Sequence, residues 1–182
     1  MRWWLITSTT YGSWLPGDRR GFVSTVTDEA GNRVRHNLPG APYDADMPLL
    51  EKASRQLLKC PPIRLRLEQA EALRDQFFET ATVRRWRLLA IAIMSNHFHV
   101  VIGAGDATEP EKVLGDLKSY GSRALSNRWG KPVSGTWWTT SGSKRRLKVE
   151  AAVVAAVKYV ENQQFPLVIW IEPEFRRSSQ SD

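Results

Sequence analysis

Cysteine is nearly absent from this chain: Cys60 stands alone among 182 residues. A single thiol excludes an internal disulfide framework and a cysteine-clustered zinc site, and it suits a reducing cytoplasm. Histidine is scarce too, with three in all. No apolar run approaches the ~20 residues of a bilayer-spanning helix. The opening residues, MRWWLITSTT, lack the basic n-region and the small-residue cleavage site of a signal peptide; they read as a first strand. No glycine-rich phosphate cradle, low-complexity tract or internal repeat is visible. What remains is an ordinary globular composition, 42% hydrophobic and 25% charged, at a length that suits one domain over residues 1–182.

Charge is the first positive signal. The 26 Lys and Arg residues outnumber 19 Asp and Glu, for a net charge of +7 and a pI near 9.9. Such an excess favours a polyanionic partner, although it also serves solubility. There are eight tryptophans; aromatics beside basic residues suit stacking on unpaired bases, but most are expected in the core.

Periodicity places the elements. Trp3–Thr9 predicts a strand, followed by a glycine- and proline-bearing loop and an irregular polar stretch from Asp18 to about Pro48. MPLLEKASRQLLK predicts a short helix with Pro48 in its first turn, broken at CPPIRL. Leu67–Val83 carries apolar residues three or four apart, a helix. WRLLAIAIM and HFHVVI form two arms of a hairpin turning at Ser95 and Asn96. Thr108 and Glu111 have capping-box spacing ahead of a helix with Val113, Leu117, Tyr120 and Ala124 on one face. GTWW reads as a strand, which leaves at most one of Trp137 and Trp138 free to stack, and SGSKRR reads as a basic loop. A valine- and alanine-striped helix over Leu147–Gln163 and a short strand LVIWI close the pattern. Strands and helices in this order predict an α+β, ferredoxin-like antiparallel sheet with helices packed on it. An irregular insertion spans about 16–62, and residues 172–182 read as a flexible tail.

The chemistry is concentrated in MSNHFHVVI. In a strand, residues two apart share a face, so His97 and His99 project together while Phe98 points the other way. Their Cα atoms would lie ~6.5 Å apart, close enough for both imidazoles to reach one divalent ion. Two buried rings without such a role would each need hydrogen-bond partners. His36, in the insertion, reads as a surface residue. With no cysteine cluster and no third placed histidine, an oxygen-preferring ion such as Mg²⁺ or Mn²⁺ fits better than zinc. Tyr159 and Gln163 in KYVENQ are four apart, hence neighbours on one helical surface beside the valine stripe. Taken alone, Tyr159 reads as an interfacial tyrosine capping the core.

MSNHFHVVI resembles the histidine–hydrophobe–histidine (HUH) motif, and KYVENQ resembles the nucleophile helix, of the single-tyrosine HUH transposases. That family includes the insertion-sequence-200-like and REP-associated tyrosine transposases. The likeness extends over the opening strand, the hairpin, the LKSYGSRAL helix, GTWW and the last helix; the insertion between Pro16 and Pro62 departs from the smallest members. The resemblance implies His97, His99 and Gln163 as metal ligands and Tyr159 as nucleophile. It also implies a covalent link to a 5′ phosphate, with single-stranded or hairpin DNA as substrate and a homodimer as one arrangement. Lys118, Arg123, Arg128, Lys144, Arg145 and Arg146 are candidate phosphate contacts. The rival nucleophile, Tyr120, has Ala124 four residues on, which cannot bind metal. The competing class is a ferredoxin-like single-strand nucleic-acid binder without chemistry.

Overall fold

A computed structural model of the chain describes residues 1–19, 24–27, 33–36 and 47–178. The strands are β1 (Arg2–Thr9), β2 (Ser24–Thr27), β3 (Arg33–His36), β4 (Arg87–Ile93), β5 (His97–Ala104), β6 (Ser143–Leu147) and β7 (Val168–Ile171). The helices are α1 (Pro48–Gln56), α2 (Leu67–Arg84), α3 (Pro110–Trp129), α4 (Glu150–Glu161) and α5 (Pro173–Ser178). Five strands form one sheet in the order β6-β1-β5-β4-β7, every neighbouring pair antiparallel. β1, α2, β4, β5, α3 and β6 together make the expected ferredoxin-like α+β unit, to which α4 and β7 are added.

Two layers of helix enclose the sheet. Leu73 and Phe77 of α2 and Val113, Leu117 and Leu125 of α3 pack on one face, over Ile6, Ile91, Phe98, Val100 and Ile102. Val153, Ala156, Val157 and Val160 of α4 cover part of the other face, over Leu5, Ala90, Ala92 and Val101. Alternation along β5 therefore feeds both cores. A register shift between Leu88 and Ala90 bulges β4 and puts Leu89 and Ala90 on the same side, against α4.

Helix α3 departs from the expected face. Its buried stripe runs Val113, Leu117, Gly121 and Leu125, a strict four-residue spacing that leaves Tyr120 on the flank. A Cβ at Gly121 would lie 2.6 Å from Leu73 Cδ1, so glycine is what lets α2 and α3 approach so closely. Nor is Thr108 the cap: α3 starts at Pro110 behind Glu109, without a side-chain cap bond. Proline at the first position needs no partner for a missing N–H.

The expected GTWW strand is a loop that reaches the end of β1 through an isolated Thr10–Trp138 bridge and hydrogen bonds between Thr139 and Thr9. Helix α3 draws both indoles inward: Trp137 Nε1 donates to Ser126 Oγ, and Trp138 Nε1 to Ser122 Oγ and the Lys118 carbonyl. Both rings are buried, so neither is available for a base. The edge strand falls instead on the basic segment, as β6. Charged side chains are well tolerated at an edge, where they also discourage unwanted pairing.

The insertion is more regular than its composition suggests, with β2 and β3 pairing antiparallel and α1 following. It leaves and rejoins the sheet at one place: Ile63 N–H donates to the Tyr11 carbonyl at 2.9 Å, and Leu65 N–H to the Ser95 carbonyl. His36 ends β3, and its side chain lies outside the described residues. Within the expected tail, Pro173–Ser178 is helical, and Arg176 pairs with Glu161 at 3.1 Å.

Candidate active site

The ferredoxin-like unit keeps its two helices on one face, and α4 covers only part of the other. His97 and His99 project from that second face, as alternation requires. Across β1 they pair with Thr9 and Thr7, and His99 pairs across β4 with Ala92. The imidazole rings meet edge to face with centroids 4.9 Å apart.

Alanines at Ala90, Ala92, Ala152 and Ala156 keep side-chain bulk low between α4 and the sheet. The last turn of α4 thereby brings the Tyr159 ring to 5.2 Å from that of His99, and Tyr159 Oη to 3.5 Å from His99 Nε2. Tyr159 is 49% exposed, His99 only 6%. The phenol faces solvent on one side and an imidazole on the other. The helix expected over Leu147–Gln163 is shorter at both ends, because Leu147 belongs to β6 and α4 stops at Glu161. Gln163 lies two residues past it and donates its amide N–H to the Tyr159 carbonyl at 2.9 Å.

Hydrogen bonds hold both rings by Nδ1. His97 Nδ1 is 2.7 Å from Asn96 Oδ1. An amide oxygen only accepts, so the proton sits on Nδ1 and the lone pair on Nε2. His99 Nδ1 lies 2.7 Å from Thr7 Oγ1. When Thr7 Oγ1 accepts from Nδ1–H, His99 presents the Nε2 lone pair towards Tyr159. Thr7 and Asn96 are the site residues that sequence reasoning missed. Thr7 and Thr9 share the two-residue spacing of the histidines, but only the register reveals that they lie opposite.

Burial, and then the neighbouring His97, push the His99 pKa from 6.5 down to about 4. His99 is therefore neutral at physiological pH. The unfolded chain protonates this residue below about 6.5, the folded chain only below about 4, so its contribution to stability is complete above pH 6.5. It is lost as pH falls through that window, up to roughly 3 kcal/mol in all. Urea unfolding from pH 7 to pH 4 is expected to show this loss, and His99→Gln to flatten it; matching pH profiles for the two proteins would refute it.

Among the candidate phosphate contacts, Arg145 alone shares the histidine face by strand register, since it pairs with Leu5 while Lys144 and Arg146 pair with Ile6 and Trp4 on the α2/α3 side. Lys144 bonds Glu111 at 3.2 Å, and the Arg146 guanidinium lies 6.0 Å from the Trp4 ring centre. Lys118 Nζ donates to the Thr139, Thr140 and Ser141 carbonyls, and burial, followed by nearby Lys144, lowers its pKa. On α3, Arg123 stacks over Tyr120 and Arg128 over Trp129. The structure thus brings His97, His99 and Tyr159 together with Gln163 just past the end of α4, and it spreads the basic residues over two faces.

An α+β domain with paired imidazoles on an inner strand and a facing tyrosine on a C-terminal helix is the class that fold and site define. The family profile described as "Transposase IS200 like" matches residues 62–163, more than half of the sequence, and the chain belongs to that family. The matched stretch runs from the end of the insertion to Gln163 and so contains both histidines and Tyr159. Comparison with curated proteins gives no match. Among solved structures, one similar chain is a REP-associated tyrosine transposase bound to a REP hairpin, at 12% identity and a TM-score of 0.47. The likeness covers 87% of this chain and 64% of that one, so this chain spans less than two thirds of its length. Another is a protein described as a transposase from Deinococcus radiodurans R1, at 15% identity and a TM-score of 0.47, over 91% of this chain and 93% of that one.

Proposed function

We propose that this protein cleaves and rejoins single-stranded or hairpin-bearing DNA through a covalent bond between Tyr159 and a 5′ phosphate, with a divalent cation as cofactor. The observation that carries the reading is the approach of Tyr159 Oη to His99 Nε2, 3.5 Å within one chain. Tyr159 Oη attacks phosphorus, the bond from phosphorus to the 3′ oxygen breaks, and a 3′-OH strand end is released. Because the enzyme link conserves a phosphodiester, a 3′-OH can attack it in turn and restore a DNA strand without nucleotide hydrolysis.

The donor set fits Mg²⁺ or Mn²⁺. Both histidines are held with Nδ1 in a hydrogen bond, the arrangement that orients a metal-ligating imidazole. Among the described residues no three of His, Cys, Asp and Glu cluster to hold an ion, so His97 and His99 would share it with the Gln163 amide, water and DNA oxygen. When bound, such an ion would polarise the phosphate and favour the phenolate over a phenol of ordinary pKa ~10. The neutrality of all three protein ligands leaves its double charge undiminished.

The catalytic unit proposed is the whole domain over 1–182, because Thr7 on β1 precedes the matched segment. Phenol and imidazoles meet within one subunit, so the reading needs no tyrosine from a partner, and a homodimer would carry two such sites. A cytoplasmic location accords with the substrate; among the described residues no helix is long and apolar enough to cross a membrane. Incubating labelled hairpin DNA with the protein and Mg²⁺ or Mn²⁺ tests the reading. A denaturation-resistant protein–DNA adduct that chelator prevents is expected; salt-sensitive binding without any adduct would instead mark a non-catalytic binder.

Arg145, on the histidine face, is the phosphate contact expected to matter most. Arg145→Ala should weaken single-strand binding and lower the salt slope by about 0.7. Arg128→Ala, beyond the opposite helix layer, should leave both unchanged; titrations at several salt concentrations decide it.

A further inference from the structure

We propose that Phe165 is a stacking platform for an unpaired DNA base beside the scissile phosphate, an inference that rests on the DNA-cleavage reading above. Among the described residues Phe165 is the most exposed aromatic, 91% accessible. It also holds a left-handed backbone, φ +55°, which a bulky side chain rarely adopts. It precedes Pro166, which narrows its backbone choices further. The chain thus accepts strain to hold a ring that buries almost nothing, a combination found mostly where function maintains it.

Its surroundings are fixed. On one side, Gln163 binds back to the Tyr159 carbonyl. On the other, Leu167 N–H donates to the Ile93 carbonyl at 2.8 Å, and Val168 pairs with Ile93 in the sheet. The Ile93 end of β4 is also where Met94 N–H bonds the His97 carbonyl and the β4–β5 hairpin turns. Phe165 therefore stands on a short, doubly anchored turn at the histidine end of the sheet, six residues beyond Tyr159. Trp137 and Trp138, the pair the sequence offers for stacking, are buried with their N–H groups committed. A phenyl ring has no hydrogen-bonding handle, so it would grip any base by its π-face and confer affinity without sequence preference.

The test uses full-length protein carrying Tyr159→Phe, without divalent ion, and a short oligo-dT strand bearing one 2-aminopurine. Binding is expected to quench the fluorophore through Phe165. Phe165→Ala and Phe165→Leu should weaken binding about tenfold, the effect of one lost base–aromatic stack, and relieve the quenching. Phe165→Tyr should retain both. Phe165→Gly should lose both without lowering Tm, because glycine suits the left-handed backbone; this separates the ring's role from folding. Wild-type affinity and quenching in the Ala and Leu variants would overturn the proposal, as would a Leu variant that binds like Phe. Adduct formation with the Tyr159 protein is scored separately. Stacking without an adduct would sink only the cleavage reading, and an adduct without stacking only this one.

Discussion

Tyr159→Phe is expected to abolish the covalent protein–DNA adduct and to slow strand cleavage by on the order of 10⁴-fold or more, the scale seen when a nucleophile is removed. The substitution deletes one oxygen from a ring that is half exposed and donates to no backbone group, so folding should be unaffected. Tyr120→Phe is the control. Tyr120 rides on α3, on the opposite side of the sheet from the histidines, and its Oη accepts a hydrogen bond from Arg84 Nη2 at 3.2 Å. Guanidinium groups of Arg84 and Arg123 also flank its ring. Those contacts make Tyr120 part of the α2–α3 surface, and adduct yield should survive its loss. Gel analysis after denaturation reads both results. An adduct persisting in Tyr159→Phe would refute the assignment.

The second large effect is on stability. Phe98→Ala is expected to cost about 3–5 kcal/mol, measured as a shift in the urea midpoint at unchanged slope. Phe98 stands between the two histidines but points the other way, fully buried. Its ring lies edge to face with Phe77 of α2 at 4.9 Å and with Trp138 at 5.4 Å. Truncation would leave a void bordered by three elements that cannot all collapse into it. The middle residue of the motif thus clamps β5 to the α2/α3 layer, so that the imidazoles on the reverse side start from a fixed backbone. A cost below about 1 kcal/mol would show that the layer repacks and does not clamp.

Much of this was legible because the decisive signals are local. Two-residue alternation in HFHVVI fixes which side chains share a face, and the valine stripe ahead of KYVENQ puts Tyr159 on a helix, whereas Gln163 falls past that helix's end. The α+β order follows from the sequence of periods. What failed depended on contacts distant in sequence. The two indoles of GTWW look like strand residues until helix α3 supplies acceptors for their N–H groups. SKRRL looks like a loop until the open edge of β1 offers it partners, which charge does not forbid. Tyr120 and Gly121 exchanged places because the approach of α2, not hydropathy, determines which residue can face Leu73. Thr7, which orients His99, is separated from it by 92 positions and is visible only once β1 and β5 are in register.

The insertion begins and ends where Tyr11 and Ile63 are joined by a hydrogen bond, so its two ends already lie side by side without it. An excursion of this kind is modular. Relatives could lengthen, shorten or exchange it at small entropic cost, since closing a loop becomes only slowly harder with length. The sheet that carries the reacting groups would not have to be rebuilt, and new partners could be acquired there while the chemistry is inherited intact.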